Sequence, residues 1–229
     1  MRRGLLWLSC ASLAWSSAAP AAVDPRNPTC PAQLDWSGNR TMQFTFREAG
    51  GKRVLLAEGG IDGELLPRLK ATLDAHKPID EIWLRSPGGD ARVGTEAGKL
   101  IREALVFTRI PKGWACFSAC NFLFMGGRGR LVDPGGQFVV HMFTHTGDRQ
   151  AIEAEVLRGT DSTVGLIGEI EQDSALLASE DNDFLIRMGV SRKLLTEIMY
   201  QTSAVAGNGA TRRCLTQEEI WKYHVANAR

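Results

Sequence analysis

Residues 79–120 read IDEIWLRSPGGDARVGTEAGKLIREALVFTRIPKGWACFSAC. Ile79 to Leu84 is a short apolar run closed by Ser86-Pro87-Gly88-Gly89, which reads as a strand and its turn. Val93, Ala97, Leu100, Ile101 and Ala104 then recur at helical spacing, and Val106 to Ile110 is again strand-like. The same rhythm extends in both directions. On the N-terminal side, Val54 to Ala57 forms a strand closed by Gly59-Gly60, followed by a helix carrying Leu65, Leu66, Leu69 and Leu73. On the C-terminal side, the apolar segment Ala119 to Met125 stops at Gly126-Gly127, and a strand from Gln137 to Phe143 is entered through Pro134-Gly135-Gly136. Strands alternating with helices predict an α/β domain with a parallel sheet and packed helices, joined by right-handed crossovers.

Flanking segments read differently. Thr41 to Phe46 alternates, with Met42, Phe44 and Phe46 on one face, so it reads as a strand; Asp24 to Pro31 is a Pro-rich arm. Residues 149–200 read as mostly helical, with Ile167, Ile170, Ser174 and Leu177 on one face and Ser162 or Thr163 as a cap. A separate helix is expected over Asp183 to Tyr200, interrupted near Gly189. Thr216-Gln217-Glu218-Glu219 is a capping box for a last short helix. The expected organisation is a leader over residues 1–21, an arm with one strand over 22–52, and a catalytic domain over 53–229.

The chain has 229 residues with a net charge of +1, so no electrostatic argument favours nucleic acid as a partner. Arg2 and Arg3, the apolar run Gly4 to Trp15 and the small residues Ala19-Pro20-Ala21 form a secretory pattern, too short to span a bilayer, with a mature start at Ala22. This predicts a periplasmic or secreted protein, in which disulfides are permitted. With Cys10 removed, Cys30, Cys116, Cys120 and Cys214 remain, and four cysteines allow three connectivities. A Cys116–Cys120 bridge would stiffen the turn around Ser118, and Cys30–Cys214 would then tie the arm to the C-terminal region. The alternative is four free, buried thiols. No His lies at ligand spacing from Cys116 and Cys120, so no zinc or other metal is expected.

Three pieces carry possible chemistry. Gly88 and Gly89 follow a strand, where backbone N–H groups can point into a cleft without side-chain obstruction. Ser118 opens an apolar helix, where free N–H groups and the helix dipole stabilise developing negative charge. His141 ends an apolar strand, placed to act as a base. Each piece alone has an ordinary explanation: a turn, a helix cap, a polar strand end.

Together the pieces resemble the proteolytic subunit of the Clp protease, within the crotonase-like superfamily. The similarity runs from about Val54 to Val225 and is most specific between Ser86 and His141. Gly89 and Ser118 are 29 residues apart, as that pattern requires. Ser118 and His141 are 23 apart, two fewer than the pattern. The setting Cys116-Phe117-Ser118-Ala119-Cys120 is most similar to exported, ClpP-like bacterial proteins. The resemblance implies a ClpP/crotonase-like spiral of ββα units, with Ser118 as nucleophile, His141 as base, and the N–H groups of Gly89 and Ala119 as oxyanion hole. It implies a serine peptidase that needs no cofactor, forms a homo-oligomer and acts on peptides or unfolded proteins. Outside the cytoplasm it would have no ATP-driven unfoldase.

One position departs from the family. Where the orienting Asp is expected, the chain reads Ala210-Thr211-Arg212-Arg213-Cys214. Asp161, Asp173, Asp181, Asp183 and Asn208 are the remaining candidates to orient His141, none at a family spacing. A Ser-His dyad and a catalytically impaired binding or assembly module of the cell envelope are therefore both compatible with the sequence. A Ser-Lys dyad is disfavoured, since no lysine lies between Lys112 and Lys193. The Ser-at-helix-start pattern and the leader argue against a CoA-dependent crotonase.

Overall fold

The computed structural model describes residues 22–205 and 210–229. The leader and its cleavage site before Ala22, together with Asn208, lie outside the described residues.

The arm carries three strands rather than one. β1 (Val23–Asp24) and β2 (Asn27–Pro31) form a hairpin, and β3 (Gln43–Ala49) belongs to the main sheet. β3 pairs antiparallel with β4 (Lys52–Glu58) through the Gly50-Gly51 turn. The alternation of Phe44 and Phe46 predicts the strand but not its partner, which the adjacent turn decides.

α1 (Leu65–His76), β5 (Glu81–Arg85), α2 (Ala91–Glu103) and β6 (Phe107–Ile110) then follow the expected rhythm. Leu65, Leu69 and Leu73 are the buried stripe of α1. Asp90 caps α2 by accepting from the Val93 N–H at 3.0 Å. Two strands escape periodicity because they are only three residues long: β7 (Ala115–Phe117) and β8 (Arg130–Val132). The larger sheet has order β3-β4-β5-β6-β8, parallel from β4 to β8.

The smaller sheet positions the site. β9 (Gln137–Val140) pairs parallel with β7, and β10 (Arg213–Cys214) pairs antiparallel with β9. Its link to the larger sheet is Ser86, just past β5. The Ser86 N–H donates to Ala115 and its carbonyl accepts from Phe117, both at 3.0 Å. β9 stops at Val140, shorter than expected, so His141 stands beyond the last ladder residue.

α3 (Cys120–Gly126) is buried throughout between α2 and the sheets. Its approach to α2 needs a residue without a side chain: a Cβ on Gly98 would fall 2.4 Å from the Phe122 carbonyl oxygen. Such closeness fixes α3, and hence the residues before it, against a rigid neighbour.

The later helices divide differently from the periodicity. α4 (Arg149–Arg158) is followed by α5 (Thr160–Met188), which runs unbroken through Asp183 and ends where Gly189 takes the left-handed conformation. The break expected near Ser162 falls at Gly159, and the helix expected over Asp183 to Tyr200 is instead the end of α5 plus a π-helical turn at Leu194–Ile198. Leu177, Phe184, Leu185 and Met188 of α5 are buried, whereas Ile167 is exposed. α6 (Gln217–Lys222) starts at the Thr216 capping box, closed by the Glu219 side chain.

The C-terminal ends of α3, α5 and α6 meet at one buried cation. Arg130 is 1% exposed and donates to the carbonyls of Val225 (2.7 Å), His224 (2.9 Å), Met188 (3.0 Å) and Gly127 (3.3 Å). Unpaired carbonyls at helix ends carry partial negative charge, so a guanidinium satisfies them without a carboxylate. Burial pushes the Arg130 pKa down to about 10, and neighbouring Arg102 acts in the same direction.

Candidate active site

Phe117 ends β7, and the chain turns sharply into α3 at Ser118, whose φ is +56°. A non-glycine residue in this region costs about 1–3 kcal/mol, and the surroundings hold it there. Three contacts do so. The Ser118 N–H donates to the Val139 carbonyl at 3.3 Å. A disulfide joins Cys116 on β7 to Cys120 on α3, spanning the turn. Gly88 packs on it so closely that a Cβ there would sit 2.8 Å from the Ser118 Cβ. Asn121 adds a tie to the neighbouring strand, its Nδ2 donating to the Val139 carbonyl at 2.8 Å.

Parallel pairing of β7 with β9 sets Phe117 opposite Val139, so both strands end on the same side. Ser118 and His141 follow those ends, and Ser118 Oγ lies 2.6 Å from His141 Nε2. Ligand sites in α/β sheets lie beyond the carboxyl ends of parallel strands for this same topological reason.

Gly89 and Ala119 line the same cavity as Ser118 and His141. Among the described residues neither backbone N–H donates to a protein acceptor. The Gly89 segment is held by Ile61: the Ile61 N–H donates to Gly88 at 2.9 Å, and its carbonyl accepts from Asp90 at 3.0 Å. The cavity holds about 260 Å³ and is mostly apolar, with Phe122, Met125, Phe138 and Leu185 in its wall.

Burial pushes the His141 pKa below its ordinary value, and a hydrogen bond to the Met142 backbone opposes this. The imidazole is thus neutral near pH 7 and able to accept a proton. Phe117 packs on it at 4.8 Å between ring centroids, and Trp36 stacks on Phe117 at 5.5 Å.

None of the candidate orienting carboxylates hydrogen-bonds His141. Asp173 pairs with Arg92 at 2.6 Å, and Asp181 lines the cavity without touching the imidazole through a hydrogen bond. Arg212 and Arg213 turn away. Arg212 pairs with Asp24 at 2.8 Å and lies over Trp36, and Arg213 pairs with Glu219. A second disulfide, Cys30–Cys214, fastens β2 to β10 beside this edge.

Sequence reasoning missed Trp36, Phe117 and Asn121, because packing around an imidazole leaves no spacing signal. It treated Asp181 only as an orienter. Its place midway between Leu177 and Leu185 on one helix face was the signal that it lies in the apolar wall. Among the described residues no cluster of His, Cys, Asp and Glu could hold a metal, and no helix is long and apolar enough to cross a membrane.

No protein-family model matches this chain, and no curated protein sequence does. By structure it is similar to a ClpP1 mutant from Listeria monocytogenes, at TM-score 0.50 and 15% identity over 76% of this chain and 89% of that one. It is also similar to a mutant of the 1510-N membrane-bound stomatin-specific protease, at TM-score 0.46 and 14% identity over 76% of each chain. The chain has the α/β, ClpP-like fold.

Proposed function

We propose that this protein is an exported serine peptidase working through an acyl-enzyme, with Ser118 as nucleophile and His141 as general base. The observation that carries this is the 2.6 Å contact between Ser118 Oγ and His141 Nε2 in a cavity shared with two unengaged amides.

The Ser118 hydroxyl donates to neutral His141 Nε2 and attacks the substrate carbonyl as the imidazole takes its proton. Negative charge develops on the carbonyl oxygen, where the N–H groups of Gly89 and Ala119 receive it. Such donors are worth about 3–4 kcal/mol each in other enzymes. The imidazolium returns the proton to the leaving amine. Water, deprotonated by the same ring, then releases the acyl group.

Export is favoured by the secretory pattern over residues 1–21 and by the two cysteine pairs, since disulfides persist in oxidising compartments. Outside the cytoplasm the substrates are short or unfolded peptides. Association into an oligomer is favoured by exposed Val156, Leu157, Val164 and Ile167 on α4 and α5.

A second reading, a non-catalytic envelope module, is favoured by the lack of a carboxylate bonded to His141 among the described residues. The 2.6 Å contact weighs against it, because a plain helix cap needs no imidazole. A fluorophosphonate probe distinguishes the two: it labels the wild type and spares Ser118→Ala under the first reading. Equal labelling of both, or none of either, overturns it.

A further inference from the structure

The cavity beside Ser118 contains polar groups that the acyl-transfer chemistry does not use. Leu177, Asp181 and Leu185 lie on one face of α5 and all line it. An acid thus replaces the middle member of an apolar stripe. Asp181 is 7% exposed, and among the described residues its carboxyl has no hydrogen-bond partner. Burial, reinforced by neighbouring Glu180, pushes its pKa up to about 7. An unmatched carboxylate in an apolar wall is costly, and natural cores rarely retain one without a partner.

A second unpartnered acceptor is buried in a residue of the same wall. Asn121 is 4% exposed and lines the cavity, and its Nδ2 is committed to the Val139 carbonyl. Its amide orientation is therefore set, and the atom left over is Oδ1, which is buried without a partner. The Tyr200 hydroxyl, close enough to Asp181 to feel its charge, is likewise buried and unpartnered. A carboxylate in the wall of a mostly apolar cavity of about 260 Å³, with a second unpartnered acceptor buried in that wall, describes a complement. It is an aliphatic stem ending in a hydrogen-bond-donating cation. The stem packs on Phe122, Met125 and Leu177, and the head reaches the carboxylate.

We infer that Asp181, with Asn121, is a specificity determinant that makes the cavity select a substrate residue with a basic side chain, lysine or arginine, on the acyl side of the cleaved bond. The inference rests on the peptidase reading for the word "substrate", but the cavity's chemistry can be tested without catalysis.

Two measurements separate the two claims. In the first, wild-type protein is profiled on a peptide library varying only the residue before the scissile bond. Lysine and arginine are expected to exceed norleucine by on the order of 100-fold in kcat/KM, and glutamine to fall between. Asp181→Asn should abolish that preference and leave norleucine the better residue. In the second, Ser118→Ala and Ser118→Ala with Asp181→Asn are titrated by calorimetry with acetyl-lysine and acetyl-norleucine peptide amides, and circular dichroism checks that each is folded. Lysine-selective binding that depends on Asp181, without hydrolysis by the wild type, supports the cavity assignment and sinks the peptidase reading. Hydrolysis or binding with norleucine equal to or better than lysine in the wild-type cavity overturns the role of Asp181 and leaves the peptidase intact. The wild-type comparisons decide even if Asp181→Asn does not fold.

Discussion

Arg213 pairs with Val140 across the antiparallel β10–β9 ladder, and His141 follows Val140 directly. Arg212, one step before Arg213, therefore belongs opposite His141, where a carboxylate would be in register to accept from the imidazole nitrogen that does not face Ser118. Arg212 instead reaches Asp24 and covers Trp36, which stacks on Phe117, which packs on His141. Among the described residues no acid bonds the ring, and an aromatic stack packs on it instead.

Installing the missing acid should raise activity. Arg212→Asp combined with Asp24→Asn, which removes the like charge facing it, is expected to increase kcat/KM on a fluorogenic peptide at least ~10-fold. The reference is the ~10⁴-fold worth of the orienting Asp in a complete triad. No gain would mean that the stack already fixes the imidazole fully.

Catalysis should persist to unusually low pH. The base must be neutral, and burial lowers the His141 pKa below its ordinary 6.5. The acidic limb of kcat/KM against pH should therefore fall below the range of an exposed histidine. Phe117→Ala, which opens the ring to water, should move that limb upward. A limb at or above 6.5 in the wild type would contradict the burial argument.

The two disulfides should differ in what they protect. Cys30–Cys214 spans 184 residues and Cys116–Cys120 only 4. Chain-entropy arguments give about 5 kcal/mol for the long loop and about 2 kcal/mol for the short one. Cys30→Ala with Cys214→Ala should lower the urea midpoint more. Cys116→Ala with Cys120→Ala should cost less stability but reduce fluorophosphonate labelling, because Ser118 is then freer to leave its positive φ.

Arg130→Met should be among the most damaging single changes outside the cavity. It removes the donor shared by the carbonyls at the ends of three helices and leaves them buried. A loss of roughly 3–5 kcal/mol is expected in chemical denaturation, since each buried carbonyl left unsatisfied costs about 1–3 kcal/mol. A loss under ~1 kcal/mol would show that water replaces the guanidinium.

Asp181→Asn should stabilise the protein in one pH window. The Asp181 pKa is raised from 3.8 to about 7, so its contribution is full below about pH 4 and is lost as pH rises toward 7. Glu180, Tyr200 and His141 share its surroundings, and the difference between variant and wild type isolates Asp181. Thermal melts should coincide near pH 4 and separate through pH 7, by on the order of 1–4 kcal/mol. A constant gap would assign the effect to packing.

Sequence alone determined the strand–helix alternation, the glycine turns, the Thr216 capping box and the residues worth suspecting. Each is written in short-range periodicity or in residue types that only certain backbone conformations accept. β7 and β8 were too short to leave a period, and α5 ran through Asp183 without a break to the left-handed cap at Gly189, its last three turns held by Leu177, Phe184, Leu185 and Met188 in the core. That Ser118 and His141 meet, that Arg212 lies across from the imidazole, and that Asp181 enters an apolar wall follow from the pairing of β7, β9 and β10 and the packing of α5. Those relations depend on which surfaces are buried together, and contacts between distant segments have no counterpart in local spacing.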